Sequence, residues 1–292
     1  MKYAYLKYIF SLLIFGTNGI VASYILLSSQ EIVLTRTLIG SFFLIIIYVL
    51  SRQKTRFWHQ KKSLFFLVLS GACMGISWIL LFEAYSQIGV SLATLAYYCG
   101  PVIVILLSPL VFKEKLNTIK IISFILVVLG MFLVNRTDMQ TGEISWGLGC
   151  GLLSALFYAM MVIFNKKASI AGLENSMCQL VTAFLTVSAF MLIKHTLVIS
   201  IPVESILPVI ILGVINTGFA CYLYFSSLQS LPVQSVSIFA YLDPLSALIF
   251  SAIFLNEHLV AVQILGAVLI LGGAALGELS GQCAIFSSEN KR

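Results

Sequence analysis

The stretch FEAYSQIGVSLATLAYYCGPVIVILLSPLVFKEKL, residues 82–116, returns 143 positions later as FSSLQSLPVQSVSIFAYLDPLSALIFSAIFLNEHL, residues 225–259. Without a gap, Phe82 falls on Phe225, Tyr98 on Tyr241, Pro101 on Pro244, Glu114 on Glu257 and Leu116 on Leu259. Carried outward, the same register sets Gly75 on Gly218 and Gly130 on Gly273, and 13 of the pairs between 75 and 134 are identical. Matches in Pro, Gly, Tyr and Glu carry more weight than matches in Leu, because apolar sequence does not supply them by composition. A repeat at one fixed offset marks a duplicated architecture. The halves are residues 1–140 and 141–292.

The composition says what kind of architecture was duplicated. Hydrophobic residues make up 60% of the 292 and charged residues 10%, against about 45–50% and 25% in soluble proteins. So few charges cannot cover a soluble surface. Apolar runs extend over 8–28, 32–50, 64–84, 90–112, 118–135, 146–165, 176–193, 205–226, 233–255 and 260–277. Each is near the length that carries a helix across about 30 Å of hydrocarbon, and none alternates as a barrel strand does. The expected fold is an all-α membrane protein of ten transmembrane helices. Lys2 and Lys7 precede the first run, which is too long for a signal peptide and is followed by nine more.

Five spans per half is an odd number, so the second half enters the bilayer from the opposite side. Two inverted five-helix repeats can adopt mirror-related arrangements, one open to each side, and that is the basis of alternating access. With the N-terminus placed in the cytoplasm, 14 of the 17 Lys and Arg fall on the inner side; only Arg36, Arg136 and Lys194 do not. That bias places both termini in the cytoplasm of a multi-pass cell-membrane protein. It also makes the net charge of +6 a topology signal and leaves no case for nucleic acid.

The segment 82–130 carries a small-residue-rich helix end, a proline, Glu-x-Leu and a glycine about sixteen residues on, and the segment 225–273 repeats it. FGTN at 15–18 is similar to an aromatic-Gly-Ser-Asn start of a first helix, with Phe in place of the commoner Trp, and Arg36 sits in the second helix. In these features the chain resembles the EamA type of the drug/metabolite transporter superfamily. The resemblance spans nearly the whole chain and implies a transporter of small organic metabolites such as amino acids or drugs, an exporter or permease. Substrates across that superfamily are diverse, so the resemblance does not choose among them.

Candidate site residues follow from what a bilayer penalises. Pro101 and Pro244 fall in mid-span, where each removes a backbone bond and expels the carbonyl four residues back, those of Tyr97 and Ala240. Paired breaks in matching helices are the sequence pointer to a transport site, and a kink that only shapes packing is the other reading. Asp243 is the acidic residue near mid-membrane and must be neutral, paired or facing water; a substrate ammonium, a proton or a structural bond would each explain it. Tyr97, Tyr98 and Tyr241 lie at the same level and would stack on an organic or cationic solute. Arg36 either pairs with Glu83 near the outer face or takes a substrate carboxylate or an outer-leaflet headgroup. Asn18, Tyr158 and Asn216 line a cavity or join helices. Glu114 and Glu257 read as helix-terminal carboxylates. The spacings Gly71-x3-Gly75 and Gly147-x3-Gly151 read as close helix contacts and leave a homodimer open.

Other functions fit less well. No GxxxxGK[ST] motif is present for an ATP-driven pump. His59, His195 and His258 stand singly, and the six cysteines form no CxxC pair, so no metal site and no cofactor are expected, and a polytopic enzyme lacks a visible catalytic cluster. A polytopic membrane enzyme or a receptor without transport is the alternative. The partners expected are a small-molecule substrate and the lipid bilayer.

Overall fold

The computed structural model describes residues 2–53, 55, 56, 58–113, 118–134, 144–194, 200–254, 261, 262, 264–273 and 276. Among them there is no strand. The helices are α1 (Lys2–Gly16), α2 (Asn18–Ser23), α3 (Ser29–Leu50), α4 (Lys61–Tyr97), α5 (Cys99–Phe112), α6 (Thr118–Val134), α7 (Ile144–Lys167) and α8 (Leu173–Ile193). They continue with α9 (Val203–Ile211), a π-helical segment (Leu212–Phe219), α10 (Ala220–Leu228), α11 (Val233–Phe239), α12 (Leu242–Phe254) and α13 (Ile264–Gly273). Six segments are long and apolar enough to cross a membrane and fall on expected spans one, two, three, six, seven and eight. Shorter helices α5, α6 and α13 take spans four, five and ten, and the broken pair α11–α12 takes span nine. The protein is a multi-pass all-α membrane protein.

Three details depart from the expected spans. The first is a break at Thr17, between α1 and α2. The second is α4, one helical run through both the third and the start of the fourth expected span. At 37 residues it would be about 55 Å long if straight, yet Ala84 and Ala96 both lie against Gly151. Its contacts on α7 run backwards from Ser70 at Met161 to Ser77 at Ser154, then forwards again from Ala96 at Gly151 to Gly100 of α5 at Tyr158. The chain therefore reverses direction near Ile88, which lies against Gly147 at the end of the membrane-length part of the run. The third is the π-helical segment inside the eighth span, where the Thr217 hydroxyl donates to the Leu212 carbonyl five residues back.

Packing follows the repeat. α7 lies against α4 and α5, and α1 lies against α10 and α12, which is the same relation with the halves exchanged. At residue level, a methyl group at Gly75 would strike Thr186 and one at Gly218 would strike Phe43, positions 143 apart in both members. A methyl at Gly130 would come within 2.6 Å of the Gly266 carbonyl and 2.9 Å of Ile270. One at Gly273 would come within 2.7 Å of the Ser123 carbonyl and of Val127. These contacts pair rising numbers on α6 with falling numbers on α13, so the two helices are antiparallel. A two-fold that relates antiparallel spanning helices lies in the membrane plane, and the repeats are inverted. Gly71 and Gly75 admit Thr182 and Thr186 of α8, while Gly147 and Gly151 admit α4, so both small-residue pairs serve contacts within the bundle.

Candidate functional site

Helix α4 ends at Tyr97 and α5 begins at Cys99; α11 ends at Phe239 and α12 begins at Leu242. Pro101 and Pro244 are each the third residue of the second piece. Each lies inside its expected span, which is broken just before it, so the prolines stand in first turns, where the missing N–H would have had no partner in any case. Their rings still exclude the carbonyl four residues back, which is why the preceding helix stops. Of the carbonyls expected to be freed, that of Ala240 accepts from the Asp243 N–H at 3.2 Å. The carbonyl that reaches across the site is Tyr98's, one residue later than expected, and the Tyr241 hydroxyl donates to it at 2.8 Å. Tyr98 and Tyr241 are equivalent in the repeat, and their rings lie 6.0 Å apart. The two broken helices thus meet on the pseudo-two-fold axis.

From that meeting point a file of tyrosines leads into the bundle. Tyr98 packs edge-on to Tyr97 at 5.4 Å, and Tyr97 edge-on to Tyr158 at 5.4 Å. The Tyr158 and Tyr224 hydroxyls are 3.3 Å apart, and Tyr224 packs on Tyr8 at 5.1 Å. Tyr8 and Tyr241 are fully buried, whereas Tyr97, Tyr98 and Tyr158 keep part of their surface open. Asp243, the second residue of α12, receives a hydrogen bond on Oδ2 from the Tyr98 hydroxyl at 3.1 Å. A carboxylate in the first turn of a helix is also favoured by the helix dipole. Gly100 permits this crowding, since a side chain there would strike the Tyr158 ring.

Asn18, Asn216 and Arg36 form a second group, organised by the π-helical segment. π-Bulges redirect side chains and recur at functional sites. Here the bulge turns Asn216 toward the break in the first span, where its amide donates to the Ile14 carbonyl at 3.1 Å and to Thr17 Oγ1 at 2.7 Å. It turns Thr217 toward Arg36, whose Nε donates to Thr217 Oγ1 at 3.0 Å. The guanidinium lies over the Trp78 ring, 4.9 Å from its centroid. Glu83 instead accepts from Gln87 on its own helix, so the Arg36–Glu83 pair expected from sequence is replaced by Thr217 and Trp78. Arg36 retains 9% of its surface, and Nε is the one of its five N–H donors that is bonded among the described residues. Asn18 Oδ1 is buried without a hydrogen bond among the described residues. The two groups adjoin through the first helix, where Ile14 accepts from Asn216 and the next residue, Phe15, has its ring 6.0 Å from that of Tyr224, and no ion pair joins Arg36 to Asp243 among the described residues.

All ten candidate positions thus fall in two adjoining groups. Sequence reasoning missed Tyr8, Tyr224, Trp78 and Thr217. Tyr8 sits beside Lys7 and reads as an interfacial anchor, while Tyr224 lies within an apolar run. Thr217 adjoins Asn216 and was the one available hint. Glu114 and Glu257 lie outside the described residues. A separate crevice of about 770 Å³ runs between Phe43, Ile47, Arg56, Glu174, Phe219 and Tyr222, and none of the ten candidates lines it.

Inverted halves, helices broken in pairs on the axis and charged groups sunk among aromatic side chains together define a membrane transport protein. The profile of the EamA-like transporter family matches residues 2–136 and again 145–277, and the chain belongs to that family. It is 30% identical over 282 residues to the uncharacterized transporter YxxF of Bacillus subtilis (strain 168), covering 94% of this chain and 88% of that one. It is 27% identical over 187 residues to an uncharacterized transporter of Archaeoglobus fulgidus, covering 64% of this chain and 66% of the other. A solved structure titled only as the crystal structure of a protein shares the fold at a TM-score of 0.79, with 16% identity, 96% of this chain and 98% of its own covered.

Proposed function

We propose that this protein is a secondary transporter of small organic metabolites, an exporter or permease, that works by alternating access between two five-helix repeats, residues 1–140 and 141–292. The observation that carries the reading is the meeting of two proline-started half-helices at Tyr98 and Tyr241 with Asp243 beside them. Asp243 supplies a site for a substrate ammonium or a proton, the tyrosines supply faces for an organic body, and the unspent Arg36 donors supply a site for a carboxylate. Opposite charges held apart across an aromatic wall favour amino acids, or drugs of similar charge, among the metabolites. The Asn18 carbonyl oxygen is a further acceptor for a substrate N–H. The protein is a transporter rather than an enzyme in this reading, resident in the cell membrane with both termini cytoplasmic.

The experiment is a metabolite screen by thermal stabilisation of the purified protein. A solute at 100 times its Kd raises stability by about 2.7 kcal/mol, and each hit is then tested for movement into liposomes. Amino acids and organic amines should stabilise and be transported. A screen in which stabilising solutes bind yet none crosses the bilayer would replace the transporter by a receptor.

A further inference from the structure

Where α7 ends and α10 meets α11, four completely buried polar side chains form a closed cluster. Asn165 donates to Asn175 at 2.9 Å and to Gln179 at 3.2 Å, Asn175 donates back to Asn165 and to the Ile170 carbonyl, and Gln179 donates to Ser70 at 2.8 Å. Every member is bonded, which is the condition under which a buried polar cluster is rigid. Two less buried side chains fasten the end of α10 to this hub. Gln229 donates from its amide to the Asn165 side-chain oxygen at 3.1 Å and to the Asn165 carbonyl. Lys166 donates to the Gln229 carbonyl at 3.3 Å and to the Leu231 carbonyl at 2.5 Å. A cation there also meets the negative end of the α10 dipole.

The repeat supplies a comparison within the same chain. Moving back 143 residues, Lys166 becomes Ser23, Gln229 becomes Ser86 and Leu231 becomes Ile88. The corresponding joint would tie the end of α2 to the reversal of α4, at the other end of the bundle. Among the described residues it is not made: the Ser23 hydroxyl donates to Ile20 and the Ser86 hydroxyl to Glu83, each within its own helix. α2 packs instead on α9, α12 and the π-helical segment. Among the described residues the joint is therefore bonded in one repeat and has no side-chain counterpart in the other, so the two ends of the bundle are fastened differently.

We propose that Lys166 and Gln229 are the latch of a gate at the end of the bundle that carries the basic loops, hung on the rigid Asn165 hub. Opening to that side breaks the four latch bonds and leaves the hub whole, while residues 22–23 close on residues 86–88 at the opposite end. The proposal rests on the alternating-access reading, but its test needs no solute. In a cysteine-free background, Tyr97→Cys serves as a reporter for an impermeant maleimide, applied to right-side-out and inside-out membrane vesicles.

Lys166→Met and Gln229→Leu, each read separately, should raise labelling from the basic-loop side by at least about threefold, the population shift expected from losing a hydrogen bond, and lower it from the other. Lys166→Arg, which keeps donors, should stay near the parent. An unchanged two-sided ratio in a folded latch variant overturns the gate, and so does misfolding of both variants, which would make the joint a folding element. If labelling shifts but no solute is ever transported, the gate stands and the transporter reading falls.

Discussion

Asp243 is the residue on which the site turns, because it costs most to place and has least to hold it. Among the described residues one hydrogen bond, from Tyr98, reaches its carboxylate at Oδ2, and an ionisable group at this depth is a functional candidate by its cost alone. The repeat sets Gly100 at the equivalent position, so symmetry does not demand a carboxylate there. Asp243→Asn keeps the shape and the Tyr98 contact, and should leave the melting temperature nearly unchanged. Uptake of the solute identified by screening should fall at least about tenfold, or roughly 1.4 kcal/mol. Asp243→Leu should lose both uptake and stability. Normal uptake by the Asn variant between pH 5.5 and 8 would remove Asp243 from binding and coupling. Individual candidates of this kind were legible from the sequence because charge and proline in hydrocarbon are conspicuous. Tyr8 and Tyr224 were not, since nothing in an apolar run says which tyrosine faces inward.

At the scale of elements, each half-helix and bulge solves a local problem of backbone satisfaction. In hydrocarbon every freed carbonyl needs a partner: Ile14's accepts from Asn216 and Thr17, and Tyr98's from Tyr241. The break at Thr17 and the π-helical segment were invisible in the sequence, because each is stabilised by a partner about 200 residues away. The spans themselves were legible, and so was the kinship of α6 and α13, whose glycines face each other reciprocally. That reciprocity makes a paired prediction. Gly130→Leu and Gly273→Leu should each destabilise by about 1–3 kcal/mol, the usual cost of overpacking a close contact, and by similar amounts. Gly272→Leu, where nothing lies within 4 Å, should be near neutral. The check is the melting temperature of the three variants side by side; a large difference between the first two would mean that α6 and α13 are not equivalent in solution.

On the scale of the whole molecule, orientation decides which end the latch guards and which way a solute would move. Inversion makes the two ends alike in backbone, so only charge distinguishes them. By the ten-span reading of the sequence, 14 of the 17 Lys and Arg fall on one side and 3 on the other, and such residues are retained on the cytoplasmic side during insertion. His59 lies in that basic stretch, exposed, just before α4. Ser200, exposed before α9, lies at the other end. In a cysteine-free background, His59→Cys should resist an impermeant maleimide in intact cells and react once the membrane is permeabilised, while Ser200→Cys should react in both. The reverse pattern would turn the molecule over, place the Lys166–Gln229 latch on the outer side and exchange the two states of the cycle, without disturbing the inverted fold. Reaction of both in intact cells would contradict an odd number of spans between them, and with it the five-helix count on which inversion depends.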